Sequence, residues 1–410
     1  MIMERILFLL FFTIISVLLD LYFFQIIKKY RKINWAKPLF FIYWSFTAVT
    51  VFNFLYYVID IDYDIGVSIK SIIFSVIIGN FISKLVSLPF LLIDDIRRFI
   101  IYLFRKKESS SDNKISRSKF LSISASLAYG LPITSLSYGI LSNNVYDYRV
   151  KRRNISFKNL PKAFDGIKVC HISDIHVGSL KNRLAVRGGI DMILNEKPDI
   201  ILFTGDLVND RASELKGWGD DLTKIKAPLG VFSVLGNHDY GEYSDWKDNN
   251  AKNKNFNDLL YSQKEFGWNL LRNENTNIEV DGQRLNIIGV ENWASSRFQQ
   301  YGDLDSAYKG IEEENFKLLM SHNPSHWNAE VTNNFKDIDL TLSGHTHGLQ
   351  YGIDIGKFRF SPVRLAYKQW ADLYSSNDQF IYVNRGFGFM GYPGRVGILP
   401  EITILELNKT

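Results

Sequence analysis

Four apolar runs, roughly Ile6–Ile27, Leu39–Ile59, Val67–Ile93 and Phe120–Leu141, are each long enough to cross a bilayer, which takes about 20 residues. Hydrocarbon offers the backbone no partner, so such runs fold as helices, and residues 1–142 are constrained to an all-α region of four spans. The first run lacks the basic start and small-residue cleavage site of a secretory signal and reads as an anchor. Tyr22, Trp35, Tyr43, Trp44, Tyr56 and Tyr57 lie near the ends of runs, where interfacial aromatic belts form. Lys70 sits close to the start of the third run, while two charges, Asp20 and Lys84, lie deep inside the runs. Counted from span ends that face the same side they lie at similar depth, so either they form a buried ion pair or each snorkels separately.

Lysine and arginine set an expected orientation. The first loop carries Lys28, Lys29, Arg31, Lys32 and Lys37, and the third carries Arg97, Arg98, Arg105, Lys106, Lys107, Lys114, Arg117 and Lys119. The second loop is acidic, with Asp60, Asp62 and Asp64. The positive-inside rule puts the basic loops in the cytoplasm, and the amino terminus and everything after Leu141 outside. Arg149, Lys151, Arg152 and Arg153 pull the other way but are fewer than the charges of the third loop. The expectation is a multi-pass protein of the cytoplasmic membrane whose carboxy-terminal part is extracytoplasmic. Residues 1–150 hold 17 Lys+Arg against 10 Asp+Glu, and the rest of the chain 31 against 33. The basic excess therefore belongs to the membrane part and is no footprint for nucleic acid. The single cysteine, Cys170, excludes an intrachain disulfide and reads as a small buried hydrophobe.

Past a linker over 143–164, residues 165–410 have the mixed composition of a globular domain. Five short stretches there end in the same residue types: Asp174-x-His176, Gly205-Asp206, Gly236-Asn237-His238-Asp239, Ser321-His322-Asn323 and Gly344-His345-x-His347. They take up five of the seven histidines. Each follows a short apolar run that reads as a buried strand, so ligand-type side chains converge on one rim of a sheet. An early βαβα pattern, with helices over Arg183–Asn195, within Ala212–Ile225 and within 242–265, gives way to many strands. Such a pattern suggests an α/β fold of two packed mixed sheets with helices outside. Asp and His suit Mn, Fe and Zn ions. Asp174 and His176 share a face in extended geometry, so one ion can take both. Asp206 has two oxygens and can bridge two ions, Asn237 offers one neutral oxygen, and His345 and His347 can serve different ions.

In order and spacing these blocks resemble the calcineurin-like metallophosphoesterase family over residues 165–407. The resemblance is closest to the membrane-associated branch of YkuE-type phosphoesterases and UDP-2,3-diacylglucosamine pyrophosphatases. It implies a four-layer αββα sandwich with two divalent ions, Mn foremost, with Fe, Zn or Mg as alternatives. It also implies that Asp174, His176, Asp206 and His347 hold the first ion, and that Asp206, Asn237, His322 and His345 hold the second. His238 would face the leaving group, with Asp239 orienting it. Two ions about 3.5–4 Å apart clamp a phosphoryl oxygen and acidify a shared water, whose hydroxide attacks phosphorus in line.

Arg385 and Arg395 flank a Gly-rich segment that either holds a phosphate or is a solvated loop. His171 and His326 match no block and read as core or surface histidines. Tyr367, Trp370 and Tyr374, with Phe358 and Phe360, are either ordinary packing or an apolar lip that touches lipid. The expected function is hydrolysis of a phosphate ester or pyrophosphate of a lipid-linked or envelope substrate at the bilayer. The alternatives are a pyrophosphatase of UDP-2,3-diacylglucosamine with a cytoplasmic catalytic domain, and a non-catalytic sensor or transport module that binds a phosphorylated ligand.

Overall fold

The structure is a computed structural model that describes residues 2–28, 37–58, 66–104, 117–294, 299–312, 315–356 and 358–410. Contacts divide the chain into two compact units, Met1–Leu141 and Ser142–Thr410. Among the described residues the first unit is helical: α1 (Ile2–Lys28), α2 (Lys37–Val58), α3 (Gly66–Phe104) and α4 (Arg117–Leu141). Three of these carry stretches long and apolar enough to cross a membrane, Ile6–Gln25, Ile69–Phe104 and Lys119–Leu141, and α2 carries a shorter one, Phe40–Phe54. The third helix runs to Phe104, beyond the expected end at residue 93, because its last turns answer their charges locally. There Arg97 and Arg98 pair with Asp94 one turn back, and Tyr22 donates to Asp95 at 2.7 Å. Lys29, Arg31, Lys32, Trp35, Asp60, Asp62, Asp64, Arg105, Lys106, Lys107 and Lys114, on which much of the orientation argument rests, lie outside the described residues.

Asp20 and Lys84 meet inside this unit and form an ion pair. Thr47 donates to the other carboxylate oxygen at 2.8 Å, and the Tyr43 hydroxyl donates to the Asp20 carbonyl at 2.5 Å. Two ions withdrawn from water survive only when such partners complete their shells.

The second unit contains fourteen strands among the described residues. In chain order they are β1 (Arg149–Phe157), β2 (Ile167–Ile172), β3 (Ile200–Phe203), β4 (Val231–Ser233), β5 (Asn269–Leu270), β6 (Glu274–Val280) and β7 (Gln283–Gly289). There follow β8 (Phe316–Met320), β9 (Leu340–Ser343), β10 (Ile353–Ile355), β11 (Phe358–Phe360), β12 (Asp372–Ser376), β13 (Gln379–Val383) and β14 (Glu401–Lys409). One mixed sheet has the order β1-β14-β2-β3-β4-β5 and the other β12-β13-β9-β8-β7-β6, while β10 and β11 form a separate hairpin.

The period-two alternation of side chains builds the layers. Val169, Ile200 and Leu202 of the first sheet meet Leu318, Met320 and Leu340 of the second in one apolar core. Their chain neighbours Cys170, Ile201 and Phe203 point the other way and pack with Val186, Ile190 and Ile193 of α5 (Arg183–Asn195). Leu319 likewise turns outward to Trp327 and Val331. The result is two sheets face to face with helical cover outside. Burial of Cys170 also pushes its thiol pKa up, so it is the inert hydrophobe expected.

One expectation fails here and another holds only in part. The 143–164 segment is not merely a linker, because β1 pairs in parallel with β14 along its whole length, from Arg149 opposite Glu401 to Phe157 opposite Lys409. The helix expected within Ala212–Ile225 is broken into a 3₁₀ turn, Ala212–Leu215, and a short helix, α6 (Gly219–Leu222), around Gly217 with φ 85°. The expected helix within 242–265 starts at Asn249 as α7 (Asn249–Glu265), where Asp248 caps the Ala251 amide at 2.8 Å.

Candidate metal centre

All five blocks leave the same ends of their strands. Asp174 and His176 follow β2, Asp206 follows β3, and Asn237 and His238 follow β4 of the first sheet, while His322 follows β8 and His345 and His347 follow β9 of the second. The backbone there is wound tightly: Asp174, His176, Asp206, His345 and His347 all adopt the left-handed region, with φ between 48° and 69°. Non-glycine residues held there cost on the order of 1–3 kcal/mol each and persist where surrounding structure demands them. The glycines of the blocks admit close approach. A Cβ on Gly344 would collide with the Asp174 carboxylate, and one on Gly236 with that of Asp206.

Two groups of possible ligands result. Asp174, His176 and His347 each present one atom within 4.8 Å of the others, and so do Asp206, His322 and His345. Asp206 lies between the groups, its Oδ2 3.6 Å from His176 Nε2 and 3.1 Å from His322 Nε2. Neighbouring groups fix the rings. His322 donates from Nδ1 to the Thr204 carbonyl at 2.7 Å, which frees Nε2 for the centre. His345 Nε2 lies 2.9 Å from the Tyr367 hydroxyl, so its Nδ1 faces His322 Nε2 at 3.2 Å. The Asn237 amide nitrogen donates to the Tyr243 hydroxyl at 3.0 Å, which turns its oxygen the other way.

Both ring nitrogens of His176 and the Asn237 side-chain oxygen are buried without a hydrogen-bond partner. Orphaned atoms of this kind are costly unless something binds them; a neutral imidazole keeps one nitrogen as N–H, so one His176 nitrogen and the Asn237 oxygen are the donors left for a divalent cation. Burial pulls His176 and His345 down to about 3 and holds His347 well below the usual range, which leaves them neutral as ligands must be. Burial pushes Asp174 up to about 6. For His322 burial is outweighed by Asp206, through charge and a hydrogen bond, and the ring is pushed up to about 9. Without metal a proton on His322 Nε2 answers Asp206, and it must leave before that nitrogen can serve as a ligand. The donor set fits two cations.

Comparison with known proteins agrees. Residues 4–144 match the model described as "Probable Calcineurin-like phosphoesterase, transmembrane domain", and residues 167–349 that described as "Calcineurin-like phosphoesterase". The chain belongs to the calcineurin-like metallophosphoesterases. That family is one of metal-dependent phosphoesterases. The chain is similar to the transmembrane protein with metallophosphoesterase domain of Danio rerio, at 27% identity over 66% of this chain and 60% of that one. It is likewise 27% identical to the uncharacterized metallophosphoesterase YkuE of Bacillus subtilis, over 72% of this chain and 99% of YkuE. YkoQ of the same organism is 27% identical over 65% of this chain and 93% of its own length. The chain thus spans less than two thirds of the zebrafish relative.

Three expectations about this site need correction. The Asp239 carboxylate does not orient His238. It accepts from the backbone amides of Asp206 at 2.8 Å, Leu207 at 2.8 Å and Gly236 at 2.9 Å, and so holds the loop that carries Asp206. Burial, with the charge of Asp206, pushes it up to about 7. The His238 ring is held instead by the Asn209 carbonyl, which accepts from Nδ1 at 2.6 Å. Arg385 is buried against Glu401 and lies 3.3 Å from Asp354, so its charge is already answered. Arg395 is buried too, donating to the carbonyls of Arg385 at 2.9 Å, Gly386 at 3.2 Å and Ile398 at 3.2 Å. Both arginines brace the Gly-rich segment and neither offers an open guanidinium to a substrate. Tyr243 is marked by nothing in the sequence and Tyr367 reads there only as packing or an apolar lip, since no spacing marks a tyrosine that reaches a ligand from another loop.

Proposed function

We propose that this chain is a membrane-anchored phosphoesterase with a dinuclear centre, which hydrolyses a phosphate ester or pyrophosphate of a lipid-linked or envelope substrate. The observation that carries the reading is the pair of adjoining Asp/His groups, Asp206 of one lying 3.6 Å from His176 of the other, with buried donor atoms on His176 and Asn237 left without partners. Asp174, His176, Asp206 and His347 would hold one ion, and Asp206, Asn237, His322 and His345 the other. Manganese is the expected metal, with iron, zinc or magnesium as alternatives. When bound, the ions supply the positive charge that stabilises phosphoryl oxygens and lowers the pKa of water.

The chain's own residues do the rest. His238 donates from Nδ1 to a carbonyl, so its Nε2 is the nitrogen free to move a proton to a departing oxygen. The main-chain amide of His238 donates to Asp206 Oδ1 at 2.9 Å, which ties the position of that ring to the shared carboxylate. The distribution of Lys and Arg in the sequence supports a catalytic unit on the extracytoplasmic face of the cytoplasmic membrane.

The test uses the purified full chain and bis(p-nitrophenyl) phosphate. Manganese-dependent hydrolysis is expected, with Asp206→Asn losing both the activity and the two ions. His238→Ala should keep both ions while turnover falls on the order of 10²–10⁴-fold. Undiminished hydrolysis by Asp206→Asn would overturn the assignment.

A further inference from the structure

Among the described residues of the second unit, nine large apolar side chains stand exposed, and six of them, Leu349, Ile353, Ile355, Phe358, Phe360 and Leu365, fall between positions 349 and 365. The β10–β11 hairpin pairs Ile353 with Phe360 and Ile355 with Phe358, so all four share one face. Ile355 and Phe358 are 73% and 62% exposed, and Leu365 beside the hairpin is 90% exposed. The opposite face carries Asp354 and Arg359, which are directly paired across the hairpin. Those two are tied inward: Asp354 lies 3.1 Å from Lys151 and 3.3 Å from Arg385, and Arg359 pairs with Asp372 and donates to the Ala371 carbonyl at 3.0 Å.

This is the reverse of a hairpin on a water-soluble body, where the apolar face turns in and the charges turn out. Ion pairs hold the hairpin with its apolar face to the outside, so the arrangement calls for a non-aqueous neighbour. Two features say which. Exposed Arg364 and Lys368 border the patch, Arg364 lying 5.9 Å over the Phe360 ring, and an apolar surface rimmed by cations matches anionic lipid headgroups. Only residues 142–148 lie between the last apolar helix and β1, and of these Val145 and Tyr148 are already buried in the second unit's own core, so very little free chain separates that unit from a membrane-crossing helix.

We propose that the β10–β11 hairpin, with Leu349 and Leu365, is a lipid-docking surface that seats the catalytic unit on the bilayer. The surface is continuous with the metal centre. Leu349 stands two residues after His347, Ser361 donates to the Gly348 carbonyl at 2.8 Å, and Tyr367 lies against His345. Docking therefore brings the centre to the level of lipid phosphates. That last consequence rests on the phosphoesterase reading, whereas the docking itself does not.

The test reads contact and not hydrolysis, so the two readings fail separately. The full chain carrying Ile355→Cys is labelled with an environment-sensitive fluorophore in nanodiscs of phosphatidylethanolamine and phosphatidylglycerol, Cys170 being buried and unreactive. Tyr261→Cys, at another exposed position of the same unit, is the control, and each labelled protein must match the wild type in melting temperature. The probe at 355 should be quenched by nitroxide-bearing lipids and be several-fold less open to iodide than the probe at 261. Equal iodide quenching at both positions would overturn the proposal. Protection at 355 from both quenchers would overturn it too, since a second protein copy would then cover the patch.

Discussion

Asp20 in the membrane unit and Asp206 in the catalytic unit are almost equally buried, at 1% and 2% exposure, yet their surroundings differ in kind. Asp20 faces one lysine and one threonine hydroxyl, so each carboxylate oxygen has a partner and the charges cancel. Asp206 faces His176 and His322 near a second carboxylate, Asp174, while both His176 nitrogens and the Asn237 oxygen remain unmatched. A closed shell of this sort makes structure. An open shell, kept open by the neighbours that aim it, makes a place for cations. The same contrast holds between two buried histidines of one unit. His326 has Ser321 at 2.9 Å on one nitrogen and Glu330 at 2.8 Å on the other, whereas His176 has neither.

Breaking the closed shell should cost stability and nothing else. Removing one member of a buried pair leaves an uncompensated charge and typically costs about 3–5 kcal/mol. Lys84→Leu should therefore lower detergent stability markedly, and adding Asp20→Asn to it should restore much of the loss. Metal content should be unchanged in both variants. Equal destabilisation of the single and double variants, read by thermal unfolding in detergent, would remove the pair from the account of the fold.

Loosening the open shell should do the opposite. Tyr367 reaches His345 from outside the ligand set, and loss of such a partner typically lowers metal affinity 10–100-fold. Tyr367→Phe is expected to weaken binding of one of two manganese ions by that factor in a titration of the metal-free protein, with melting of the metal-free protein unchanged. If both ions are weakened equally, Tyr367 is not specific to the His345 group.

Much of this was legible beforehand, and the parts that were not share a cause. The strands that end in ligands are short apolar runs, and α5 matches the helix expected over Arg183–Asn195, since Asn182 caps it and Pro198 follows closely. Depth counting brought Asp20 and Lys84 together across 64 positions. By contrast β1 reads Arg-Val-Lys-Arg-Arg-Asn-Ile-Ser-Phe, and as an edge strand it buries only Ile155 and Phe157, so its pattern resembled a linker. Asp239 adjoins His238 in sequence, but the intervening 3₁₀ turn directs its carboxylate back to the Asp206 loop. The true orienter of His238 is the Asn209 carbonyl, a backbone atom that no residue type announces. Arg385 and Arg395 are legible as charges beside a Gly-rich segment, but composition gives charge and not depth, and depth decides whether a guanidinium meets substrate or Glu401.

Read per pH unit, the smallest effect is the one that proton linkage predicts for His176 in the metal-free state. Its folded pKa, pulled by burial to about 3, lies below its unfolded value near 6.5. Between those values the unfolded chain binds a proton that the folded chain refuses, so stability rises with pH across this window. The contribution is present above pH ~6.5 and is lost as pH falls towards 3, at no more than about 1.4 kcal/mol for each pH unit. His176→Gln removes this group without adding charge, so the difference in melting temperature between variant and wild type in chelator should narrow steadily as pH falls from 6.5. Bound metal opposes the same protonation, so in excess manganese the wild type should hold its melting temperature to lower pH and the variant should not. A difference independent of pH in chelator would mean that the His176 ring is protonated or solvated in the folded protein, and the open shell around Asp206 would then already be closed by a proton.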